Sequence, residues 1–157
     1  MVSAELLGRY PFFSFLKPSQ LRSIAKVAKE KSFERGDILF REKDPASALY
    51  ILVKGSLELF FTVEVEYHPE LHKELKYRVI YPGEISGISA LIEPYRLTSS
   101  ARATEPSQVI MIESAALLEL CQKDEELSCA LIRQVAKVAI DRLNATRLQL
   151  AAMWSPS

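Results

Sequence analysis

Phe33-Glu34-Arg35-Gly36-Asp37-Ile38-Leu39-Phe40-Arg41-Glu42, followed closely by Leu49-Tyr50-Ile51-Leu52-Val53-Lys54-Gly55-Ser56-Leu57, decides how this chain is read. Residues 33–37 read as a strand end and a turn, and residues 38–40 as a short strand. Residues 48–53 form an apolar run, Lys54-Gly55 turns it, and residues 56–65 resume as strand, so the pair is a hairpin. Outward from there, residues 65–74 are polar and are expected to loop. Residues 75–81 are strand, turned by Pro82-Gly83-Glu84. Residues 98–104 and 108–112 add two strands around Glu105-Pro106-Ser107. Many short, closely spaced strands over residues 32–113 argue for a compact roll or barrel.

Helical pattern flanks this middle. Leu6, Leu7, Phe12, Phe13, Phe15 and Leu16 cluster around Pro11. Lys17-Pro18-Ser19 opens a helix, because proline suits the first helical turn. Leu21, Ile24, Ala25, Val27 and Ala28 continue it at helical spacing, and the pattern fades near Lys31. After the strands, Ser114 can cap a helix running to Leu120. A second helix is expected from near Asp124 to about Trp154, roughly 45 Å long. On it Ile132, Ala136, Ala139, Leu143, Thr146, Leu150 and Met153 alternate spacings of four and three after the first step, which is a heptad seam. Leu131, Val135 and Val138 lie on a neighbouring face and are expected to pack on the roll. A helix with two apolar faces needs two partners, so a homodimer through this helix is expected; one broad face covering the monomer core is the alternative.

Twenty basic residues balance twenty acidic ones in 157 residues, so the chain as a whole attracts neither nucleic acid nor an anionic membrane. No stretch has signal-peptide form or the ~20 apolar residues of a membrane span. Cys121 and Cys129 match no zinc or iron–sulfur spacing and read as free thiols of a reducing, cytoplasmic compartment. His68 and His72 lack further ligands, so no metal is expected. No Walker loop, HExxH or GxSxG is present, and no catalytic residue is assigned.

The quoted motifs, with Pro82-Gly83-Glu84, Gly87 and Ser100-Ala101-Arg102-Ala103-Thr104 in order, resemble the cyclic-nucleotide-binding domain of catabolite-activator-type regulators and cyclic-nucleotide-gated proteins. The resemblance covers the chain from about Leu6 to Trp154. It implies one domain over residues 1–157, of mainly β, α+β class. That domain is a double-stranded β-helix, a jelly-roll-like β-roll, between N-terminal helices (1–31) and C-terminal helices (114–154), the last of which dimerises.

The resemblance also implies a ligand site. A short helix, here Ile88-Ser89-Ala90-Leu91-Ile92 after Gly87, would cradle a phosphate with its N–H groups. The family's ribose-binding glutamate is replaced by Ile88, which cannot accept a hydrogen bond. Counting places Leu97 at the phosphate arginine, with Arg96 one residue earlier and able to reach in after a loop adjustment, or else to stay in solvent. Thr98 and Ser99 could add hydroxyls. Arg142 and Thr146, four apart on the long helix, match residues that meet the nucleotide base.

The expected function is a sensor domain that binds a nucleotide or other small anion and signals through its C-terminal helix to an unidentified protein. Cyclic AMP binding is expected to be weak or absent. The alternative is a degenerate dimeric interaction module with no small ligand. No cofactor is expected beyond that nucleotide or anion. The sequence ends shortly past the long helix, so a DNA-binding domain is not expected.

Overall fold

A computed structural model describes residues 1–154, with Pro69 described by its backbone alone; residues 155–157, the end of the expected domain, lie outside the described residues. Helices α1 (Ala4–Gly8) and α2 (Pro18–Val27) lead in. Eight strands follow: β1 (Ala28–Phe33), β2 (Ile38–Phe40), β3 (Ala48–Lys54), β4 (Leu57–Val65), β5 (His68–Ile80), β6 (Ile85–Ser86), β7 (Ser100–Ala103) and β8 (Ser107–Glu113). A 3-10 turn (Ile88–Leu91) sits between β6 and β7. Helices α3 (Ser114–Lys123) and α4 (Glu125–Trp154) close the chain. The strands make two four-stranded antiparallel sheets, ordered β1-β8-β3-β6 and β2-β7-β4-β5, which is the expected β-roll.

Strand β3 shows why the roll and the helices form one body. Side chains alternate across a strand. Leu49 and Ile51 pack outward with Leu7, Ile24, Leu117 and Leu131 of the helices and with Phe13 of the turn between α1 and α2. Tyr50 and Leu52 point into the roll among Leu57, Leu59, Ile80, Ala101 and Ala103. Both faces are buried, so the strand reads as a continuous apolar run rather than an alternating one. Each such buried side chain contributes about 1.5–3 kcal/mol. Gly55 has φ +107°, and a Cβ there would lie 2.2 Å from Ser107 Oγ and 2.7 Å from the Pro106 carbonyl, so the β3–β4 turn requires glycine.

Three local expectations change. The second helix stops at Val27, and residues 28–31 are strand. Lys29, Glu30 and Lys31 suit a helix, but pairing from Ala28↔Ile112 to Phe33↔Ser107 along β8 supplies a ladder that outweighs that weak preference. The expected loop over residues 65–74 is instead the outer half of a β4–β5 hairpin, with register from Leu57↔Ile80 to Val65↔His68. Its tip is exposed on both faces, so no apolar alternation marks it in the sequence. Ser114 is the first residue of α3 rather than its cap; its N–H donates to the Ser47 carbonyl at 2.8 Å. The long helix starts where expected, with Asp124 Oδ1 accepting from the Leu127 N–H at 3.0 Å.

Candidate ligand site between the roll and the long helix

Gly87 ends β6 and begins the 3-10 turn with φ +78°. A Cβ there would sit 2.8 Å from the Ala48 carbonyl, so only glycine lets the turn press against β3. The turn, the segment before β7, and one face of α4 enclose a cavity of about 510 Å³. That is within the range of small-molecule sites.

Of the residues expected from the sequence, Gly87, Ile88, Ser89, Leu97, Thr98, Ser99 and Arg142 line this cavity. Ala90 does not; it is fully buried behind the turn with Ala46 and Leu97. Arg96 does not either. Its backbone bridges Pro45, and its Nη1 donates to the Lys43 carbonyl at 3.0 Å on the exposed side of the loop. The β-bridge alternates side chains, so Leu97 turns inward and Arg96 outward. Thr146 lies beyond the main cavity. Its Oγ1 donates to the Arg142 carbonyl at 2.9 Å, and it lines a separate cleft of about 70 Å³ with Tyr77, Arg78, Arg142, Ala145 and Gln149.

Three residues of the heptad seam, Ile132, Ala136 and Ala139, form the helical wall of the cavity together with Val135. All three remain partly open to solvent, and Leu143, Leu150 and Met153 further along α4 are exposed. Sequence reasoning missed Phe40, Leu59 and Tyr77 of the wall, while Ile92 belongs to the segment expected to cradle the ligand. Each was legible as an apolar residue, but only the roll's closure turns them toward α4.

The cavity wall carries one charged side chain, Arg142. A guanidinium Nη2 donates to the Ile85 carbonyl, while its Nε–H is buried without an acceptor. Burial, and then the like charge of Arg78, hold the Arg142 guanidinium below its usual range. Arg78 is paired with Glu84, Nη2 to Oε2 at 2.7 Å, and its own Nε–H is also buried without an acceptor. Glu84 therefore neutralises Arg78 by direct contact and reaches Arg142 only as a more distant opposite charge. Arg78 was not singled out from the sequence, and Glu84 only as part of the Pro82-Gly83-Glu84 turn, since nothing local to them signals proximity to α4. Among the described residues no group of three or more His, Cys, Asp or Glu is placed to hold a metal, and no helix is long and apolar enough to cross a membrane.

A two-sheet antiparallel roll is thus closed by a long helix over a glycine-started helical turn. The profile of the cyclic nucleotide-binding domain matches residues 30–124, and the chain belongs to that family. The crystal structure of a candidate cyclic nucleotide-binding protein from Geobacter metallireducens is similar, with 38% identity and a TM-score of 0.79 over 91% of this chain and 99% of that one. A CRP-like cAMP-activated global transcriptional regulator of Mycobacterium tuberculosis is 26% identical over 94% of this chain and 61% of its own length. A candidate potassium channel protein of Rhodopseudomonas palustris is 24% identical over 82% of this chain and 29% of its own. The chain thus spans less than two thirds of the length of either curated relative.

Proposed function

We propose that this chain is a non-catalytic regulatory domain that binds a nucleotide or other small anion and passes the bound state on through α4. One observation carries the reading: a cavity of about 510 Å³ has α4 itself as a wall, through Ile132, Ala136, Ala139 and Arg142. A ligand there touches the roll and the helix together, and so favours one position of the helix over another by differential contact. A thermal-shift screen of cyclic nucleotides and small anions tests it. A ligand that raises the melting temperature and also slows amide exchange along α4 supports the sensor. Stabilisation with unchanged α4 exchange refutes the relay.

Cyclic AMP is a poor fit. Ile88 stands where the ribose acceptor belongs and Leu97 where the phosphate cation belongs, and Arg96 is turned away. Each unmet buried hydrogen bond costs about 1–3 kcal/mol. Micromolar or tighter binding by calorimetry overturns this expectation. The same two substitutions favour the second reading, an interaction module that holds no small ligand; silence across the whole screen selects it.

The exposed Leu143, Leu150 and Met153 on α4 make a homodimer through this helix the partner arrangement we propose, with a further protein partner of unidentified nature. Sedimentation at high micromolar concentration that shows only a 17.7 kDa species refutes the dimer. A reducing, cytoplasmic setting suits the two free cysteines, and burial pushes the Cys121 thiol up, which lowers its thiolate fraction.

A further inference from the structure

We propose that the cavity takes an organic monocarboxylate with an apolar body, whose carboxylate docks on the Arg142 guanidinium of α4. The inference rests on the sensor reading and names its ligand class. Its first support is the placement of charge. Arg142 is the one ionisable cation on the wall, and it comes from the helix rather than from the loop before β7, where Leu97 stands. The second is the buried Nε–H of Arg142, a donor without an acceptor. A small rotation of the side chain presents Nε–H and an Nη–H as a fork that matches both oxygens of a carboxylate.

The rest of the wall selects the body. Phe40, Leu59, Ile88, Ile92, Leu97 and Val135 offer no hydrogen bonds, so a ligand with several polar groups would leave them unmet. Tyr77, Ser89, Thr98 and Ser99 bring four hydroxyls, enough for the head group and few substituents on the body, and the remaining lining apart from Arg142 is apolar or backbone. An anionic head with an aryl or alkyl body meets both demands. A further cavity of about 430 Å³ that Arg142 also lines holds its own carboxylates, Glu84 and Asp141, beside its cations, and so does not compete for the anion.

Calorimetry with octanoate and 4-phenylbutyrate, each beside its neutral amide and beside cyclic AMP, tests the assignment on the full chain. The carboxylates are expected to bind about tenfold or more tighter than the amides. Arg142→Met should abolish that difference, and Ile88→Glu, which adds a like charge to the wall, should weaken the acids more than the amides. Equal binding of acid and amide, or an acid preference that survives Arg142→Met, overturns the proposal. Cyclic AMP binding tighter than either acid overturns it while leaving the sensor reading intact. Binding by none of these probes overturns it too, and the anion screen then decides separately whether the sensor reading also falls.

Discussion

Replacing Arg142 by methionine should leave the ligand-free protein about as stable as before, although it removes a half-buried charge. The guanidinium donates one bond to the Ile85 carbonyl, and a hydrogen bond to a charged group contributes about 1.5–3 kcal/mol. Against this stand the buried Nε–H with no acceptor, at about 1–3 kcal/mol, and the repulsion from Arg78. Methionine keeps most of the apolar stem. The opposing contributions cancel to within about 1 kcal/mol.

Glu84→Gln should behave differently. Glutamine can still accept from the Tyr81 N–H, which Glu84 Oε1 meets at 2.9 Å, but it cannot neutralise Arg78. Both side chains of the pair are mostly covered, so the loss should be about 1–3 kcal/mol. In the Arg142→Met background only one guanidinium remains beside position 84, and the loss should shrink by about 0.5–1 kcal/mol. Urea titration of the wild type, the two single variants and the double variant gives the cycle directly. A loss above about 3 kcal/mol for Arg142→Met, or strict additivity of the two changes, would refute the picture of two cations in the field of one carboxylate.

Gly87→Ala should lose about 2–5 kcal/mol, combining left-handed backbone strain with a Cβ 2.8 Å from the Ala48 carbonyl; an unchanged melting temperature in calorimetry would show that the turn relaxes freely. Ile51→Ala, at a fully buried site on β3, should lose about 2–5 kcal/mol in urea without a change in m-value. The Leu127 N–H and then Gln20 hold the Asp124 carboxyl below its usual range, so the folded state binds fewer protons than the unfolded state around that range. The stabilisation is present above the ordinary aspartate pKa of about 3.9 and is lost as pH falls through the depressed folded value. Asp124→Asn should flatten this part of the acid limb of stability against pH, and an unaltered acid limb would contradict the capping role.

Much of the site was visible in one dimension because its parts are local. The Gly87 turn, the residues after it, and a helix face repeating at Ile132, Ala136 and Ala139 are each set by neighbours a few positions away. Whether Arg96 or Leu97 enters the cavity was open in the sequence, since loop spacing allows either. The bridge from Pro45 to Arg96 decides it, because facing one residue outward forces the next one in. The electrostatics were hidden for a related reason: Arg78 and Arg142 are 64 positions apart, and only the docking of α4 on β5 and β6 brings them together.

The sequence by itself determined the turns, the apolar runs that become β3 and β8, and the long last helix. Those features follow from backbone preference and side-chain chemistry at single positions. Tertiary structure alone decided that residues 28–31 pair with β8, that the β4–β5 hairpin extends through a polar stretch, and that Arg142 both lines a cavity and keeps a buried donor unanswered. Ladder pairing and desolvation depend on what lies across space, and a chain read in order carries no record of it.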